Sequence, residues 1–114
     1  MTEILYDREE LRLEMNGHAE AGPAGGDLVC AALSILMMSI ERRMQELAGE
    51  MLPCVKQAPG RFMIQCRPES ENEARCRESF DTVFAGLSLL AENRPEHVCV
   101  RLRDEEQSGE EQWE

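Results

Sequence analysis

Hydrophobic positions along this 114-residue chain recur at two spacings, and the changes from one to the other mark out its elements. Leu11, Leu13 and Met15 alternate with Arg12, Glu14 and Asn16, the period of a strand with one buried face. Residues 3–6 make a shorter strand candidate ahead of them and 7–10 a charged turn, so the two strands are expected to pair as a hairpin. Val29, Leu33, Leu36, Ile40, Met44 and Leu47 then fall at helical spacing and form one apolar stripe. Asp27 is the expected N-cap of this helix and Gly49 its stop. Its first three turns are apolar nearly all round, so it needs cover on more than one side. Alternation returns over 54–57 and 61–67, two strands joined by Ala58, Pro59 and Gly60, with Pro68 ending the second.

Ser70 and Glu73 form a capping box for a second helix, expected to reach about Glu92. Cys76, Phe80, Val83, Phe84, Leu87 and Leu90 make its buried face, and Asn93 and Pro95 stop it. Val98, Val100 and Leu102 give a last strand. The order ββαββαβ implies an α+β fold, a single sheet packed with two main helices in an α/β sandwich. Residues 1–103 are expected to form one domain.

Composition changes this picture at one end. The net charge is −11, and Asp104, Glu105, Glu106, Glu110, Glu111 and Glu114 carry more than half of it. Residues 104–114 are therefore expected to be an acidic, disordered tail. An acidic chain is a poor direct partner for nucleic acid, which needs clustered Lys and Arg. No segment reads as a signal peptide or membrane span. The five cysteines are odd in number and follow no disulfide or zinc spacing, so they are expected to be reduced thiols of a cytoplasmic protein.

Candidate chemistry concentrates between Asn16 and Ser34. Residues 19–26, with Gly22, Gly25 and Gly26, read as a flexible loop that could bring His18 beside Cys30. With Asp27 as cap, Cys30 would sit in the first helical turn, where the partial positive charge favours a thiolate and free N–H groups could hold an oxyanion. His18 is the nearby base such a nucleophile requires. Asp27 either only caps the helix or also orients the imidazole. Ser34, one turn beyond Cys30, could bond the thiol, a substrate or a backbone carbonyl. Cys54, Cys66, Cys76 and Cys99 read as core or edge residues, and Met37, Met38 and Met44 as core filler. His18 and Cys30 lack the further ligands of a metal site, and the glycines lack the ending of a phosphate loop, so no metal or cofactor is expected.

The motif Gly17-His18-Ala19, followed by Gly25-Gly26-Asp27-Leu28-Val29-Cys30-Ala31-Ala32-Leu33-Ser34, resembles the ribosomal-processing cysteine protease family, Prp. The resemblance runs down to about Arg103, departing at a short first hairpin, which bears on the sheet edge, and at the acidic tail. It implies a homodimeric endopeptidase that removes the short N-terminal extension of bacterial large-subunit ribosomal protein 27, next to a pair of aromatic residues. His18 then matches the catalytic His, Cys30 the nucleophile, and Asp27 and Ser34 supporting residues. An acidic enzyme suits a basic ribosomal substrate. The apolar girth of the first helix favours another reading, a non-catalytic homodimeric module that binds at the ribosome.

Overall fold

The alternating residues pair so that their apolar members share one side of a sheet. In this computed structural model, residues 1–17, 22–47, 49 and 51–104 are described, with 22–27 by the course of the backbone alone. Among them run β1 (Thr2–Asp7), β2 (Arg12–Asn16), α1 (Gly22–Leu47), β3 (Cys54–Ala58), β4 (Arg61–Gln65), α2 (Glu73–Asn93) and β5 (Val98–Arg103). The α+β class and the order ββαββαβ are as expected. The strands form one sheet in the order β3-β4-β2-β1-β5. It is mixed: β1 and β5 are parallel and the other pairs antiparallel. The short first hairpin is not at an edge. β4 adds beside β2 and β5 beside β1, so β1 and β2 are interior strands.

Register explains the two faces. Ile4 lies opposite Met15 and Val100, Tyr6 opposite Leu13 and Leu102, and Leu13 opposite Ile64. These residues point to the side that both helices cover. There they form one core with Val29, Leu33, Met37, Ile40 and Met44 of α1 and Cys76, Phe80 and Leu87 of α2. Arg12, Glu14 and Gln65 alternate with them and belong to the opposite, open face.

Tyr6 ties α2 to the sheet. Its ring is 1% exposed, stacks on Phe80 at 5.8 Å and meets Phe84 at 5.1 Å. Its hydroxyl donates to Asp81 Oδ1 at 2.7 Å, while Arg8 donates Nε and Nη2 to the same carboxylate, each at 3.0 Å. A charged acceptor shared by a phenol and a planar guanidinium fixes the angle of α2 as well as its distance.

Three local expectations are corrected. The helix begins at Gly22, not at Asp27, so Gly22, Gly25 and Gly26 lie in its opening turns rather than in a loop. Pro23 explains this: its fixed φ suits a first turn, and its missing N–H would have had no partner there. Glycines inside a helix cost roughly 1 kcal/mol each, which the packing of a 26-residue helix outweighs. Within the stripe, Met37 is buried and Leu36 only partly so, while Met38, expected as core filler, is 59% exposed. The Ser70 capping box does not form. Ser70–Asn72 is a 3₁₀ turn in which the Asn72 N–H donates to the Glu69 carbonyl at 2.8 Å, and no side chain caps α2. The expected tail lies, from residue 105 on, outside the described residues.

Candidate active site

Several strand ends converge at one end of the sheet, beneath α1. The Thr2 N–H donates to the His97 carbonyl at 2.9 Å, joining the start of β1 to the residue before β5. The Gly17 N–H, just beyond β2, donates to the Gly60 carbonyl in the β3–β4 turn at 2.8 Å. Gly17 has φ of +99°, and a Cβ on it would overlap the Met1 carbonyl oxygen. Only glycine satisfies both conditions, so this close approach of β2 to the chain start depends on that residue.

Over this convergence α1 presents Cys30, Ser34 and Glu41, with Leu33 and Met37 below them. Spacings of four, seven and eleven from Cys30 return to nearly one helix face. Together with Phe62 and Met15 these residues enclose a cavity of about 240 Å³. Cys30 and Ser34, one turn apart on the helix, are both exposed and both line it. Gly17 lines it too. His18 lies outside the described residues. Asp27 falls within α1, three residues before Cys30, and its side chain is not described.

The early helix start alters the chemistry available to the thiol. Cys30 is the ninth residue of α1, two turns beyond Gly22. The field of a helix terminus fades within the first turn, and N–H groups this far inside are bonded to carbonyls four residues back. Cys30 therefore does not lie in the first helical turn, where the sequence pattern places it.

The other thiols are set apart by their surroundings. Cys66 and Cys76 are buried and hydrogen-bonded to each other; burial pushes the Cys66 thiol up to about 12 and raises that of Cys76. Both stay protonated and inert at neutral pH. Cys54 is exposed but borders a depression on the open face of the sheet. His97 is half-buried beside Glu96, with Nε2 at 3.6 Å from its carboxylate, and is not on the cavity wall. Among the described residues no three His, Cys, Asp or Glu gather as metal ligands. No described helix is long and apolar enough to cross a membrane.

Thr2, Gln57, Arg61 and Phe62 also line the cavity, and none was a candidate from the sequence. They come from β1, β3 and β4, far apart in the chain, and only the strand register brings them together. Phe62 was legible as a buried strand position, but not as a cavity wall.

The first helix thus carries an exposed thiol on a cavity wall above a single mixed sheet. The family described as cysteine protease Prp matches residues 1–99, and the chain belongs to that family. No curated protein matches the chain. Among solved structures it is similar to SMU.848 from Streptococcus mutans, with 26% identity, a TM-score of 0.69, and coverage of 91% of this chain and 93% of that one. The ribosomal processing protease Prp from S. aureus, solved with a covalently linked product peptide, gives 22% identity and a TM-score of 0.71 over 92% of this chain and 100% of its own. The same protein with a substrate peptide gives a TM-score of 0.68 at the same identity and coverage.

Proposed function

We propose that this chain is a cysteine endopeptidase acting in the cytoplasm as a homodimer. Its substrate is the short N-terminal extension of bacterial large-subunit ribosomal protein 27. The observation that carries the reading is the exposed Cys30 thiol on the cavity wall, in a chain of the cysteine protease Prp family. Gly17, the residue before His18, lines that cavity as well. The S. aureus relative, solved with substrate and product peptides, supports the substrate class.

In the proposed mechanism His18 takes the proton from Cys30 Sγ, which attacks the scissile carbonyl carbon. The tetrahedral adduct collapses, the C–N bond breaks, and His18 gives the proton to the leaving amine. Water activated by the same imidazole then hydrolyses the thioester and restores the thiol. Asp27 and Ser34, three residues before Cys30 and four after it, act in support.

Leu28, Ile35 and Met38 are respectively 70%, 59% and 59% exposed and share one side of α1, which favours this side as the dimer contact. Ile35→Arg is expected to yield monomers by sedimentation; an unchanged dimer would move the contact elsewhere. The substrate test is incubation with the N-terminal peptide of the cognate ribosomal protein 27, read by mass spectrometry. Wild type is expected to release the extension, and Cys30→Ala and His18→Ala to lose at least about 10³-fold in rate, the scale of removing one member of a nucleophile–base pair. Equal cleavage by Cys30→Ala would refute the mechanism. Peptide capture without cleavage by wild type would favour the binding module instead.

A further inference from the structure

The face of the sheet turned away from the helices is basic, although the chain carries a net charge of −11. Strand register puts Arg12, Lys56, Arg61, Arg101 and Arg103 on this side, against Glu3, Asp7 and Glu14. Arg12 is paired with Glu14 at 2.7 Å. The side chains of Lys56, Arg61, Arg101 and Arg103 have no hydrogen bond or ion pair among the described residues. The helix layer is the reverse: α1 and α2 together carry seven acidic residues and four basic ones. Two adjoining depressions of about 490 Å³ each run across the open face. Arg61, at the end of β4, lines both of them as well as the Cys30 cavity.

A basic face suits an acidic occupant and repels a basic one. The chain supplies an acidic segment at the border of this face. β5 is an edge strand and ends at Arg103. Residues 105–114, just beyond it, hold five Glu, no Lys or Arg, and Trp113, the only Trp of the chain. The cations near that strand end on the helix side are already engaged, Arg8 by Asp81 and Arg77 by Glu73. From β5 to β3 is four strand spacings, roughly 19 Å. The seven residues from 104 to 110 span roughly 23 Å when extended. Glu110, Glu111 and Glu114 therefore reach Lys56 on β3, and Glu105 and Glu106 reach the arginines of β5.

We propose that residues 105–114 fold back across the open face of their own sheet, where their glutamates pair with Lys56, Arg61, Arg101 and Arg103 and the Trp113 indole stacks on a guanidinium. The inference is independent of the protease reading. Exposed ion pairs are individually weak and screened by salt, so the docking rests on several of them at the high effective concentration of a tethered segment. An indole over a guanidinium adds attraction without needing a buried pocket.

Lys56 is the only lysine of the chain, which makes the contact chemically addressable. A carbodiimide activates a glutamate carboxyl, and Lys56 Nζ attacks the activated carbon to form an amide while the carbodiimide leaves as its urea. Equal amounts of isotope-labelled and unlabelled full chain are mixed, cross-linked and mapped by mass spectrometry. Amides from Lys56 to Glu110, Glu111 or Glu114 are expected within single copies. Their yield should fall at least about fivefold in about 1 M salt, where the Debye length is only about 3 Å. Arg101→Glu combined with Arg103→Glu should cause the same fall at low salt. The salt arm uses wild type alone, so a variant that fails to fold leaves the test intact. Acrylamide should quench Trp113 at least about twofold less than in the free peptide 104–114, and equally in about 1 M salt. Absence of these amides, a yield indifferent to salt, or a Trp113 as accessible as in the free peptide overturns the inference. Amides that join only labelled to unlabelled copies also overturn it, and make the segment of a second copy the occupant.

Discussion

Replacing Gly17 by alanine perturbs the point where β2, the chain start and the β3–β4 turn meet. The φ of +99° is a region that a Cβ makes unfavourable, at about 1–3 kcal/mol. The added Cβ would also overlap the Met1 carbonyl oxygen. That oxygen is backbone and cannot rotate away, so relief requires a shift of the start of β1. The shift would weaken the Thr2–His97 and Gly17–Gly60 hydrogen bonds, each worth about 1 kcal/mol. Together these give a loss of about 2–4 kcal/mol, part of the 5–15 kcal/mol typical of a domain, so the variant should still fold. Thermal unfolding followed by circular dichroism is the assay, with an expected fall in Tm of about 10 °C or more. Gly49→Ala is the control. Gly49 also has positive φ, +69°, but a Cβ there meets only the Glu69 and Asn72 side chains at ordinary distances of 3.7 Å and 3.8 Å. It should cost about 1 kcal/mol, the backbone part alone. A Gly17→Ala loss below about 0.5 kcal/mol, within the usual range of neutral substitutions, or one equal to that of Gly49→Ala, would refute the close approach to Met1.

Tyr6 is the single tyrosine of the chain, so its ionisation can be read alone by absorbance at about 295 nm, a wavelength where phenolate absorbs. Burial first, then the hydrogen bond to Asp81, hold its phenol far above the ordinary value of 10.0. The folded protein should show no phenolate at pH 11, whereas the unfolded chain titrates near 10. Because the folded state holds this proton more tightly, the contribution to stability is complete below about pH 10 and falls as pH rises further. Tyr6→Phe should cost roughly 1.5–3 kcal/mol, the scale of a hydrogen bond to a charged group; a phenolate signal in native protein at pH 10 would contradict the buried assignment. Thiol labelling at pH 8 should mark Cys30 and Cys54 promptly and half-buried Cys99 more slowly, leaving Cys66 and Cys76 until the chain unfolds. Native Cys66 labelling as fast as Cys54 would place that thiol outside the core.

The elements were legible where one periodicity ran long enough to dominate. Val29, Leu33, Ile40 and Met44 defined α1, and the alternations around Leu13 and Ile64 defined interior strands with one apolar face. The start of α1 was not legible, because Gly22, Gly25 and Gly26 read locally as a loop while the long packed helix absorbs their cost. That single displacement removes the helix-end argument for Cys30. That Cys30 and Ser34 share one helix face was legible from their spacing. Thr2 and Phe62 were not, since their place on the cavity depends on β1 pairing with β5 and β2 with β4, contacts that no local pattern encodes.

The most direct test of Cys30 as the nucleophile is to trap the covalent intermediate. A substrate peptide is mixed with wild-type protein, quenched in acid within the first turnover, and the labelled residue is mapped by mass spectrometry. A thioester of the released N-terminal fragment should be found on Cys30, and none in Cys30→Ala. A peptide adduct on Cys54, or turnover by Cys30→Ala at the wild-type rate, would contradict the assignment.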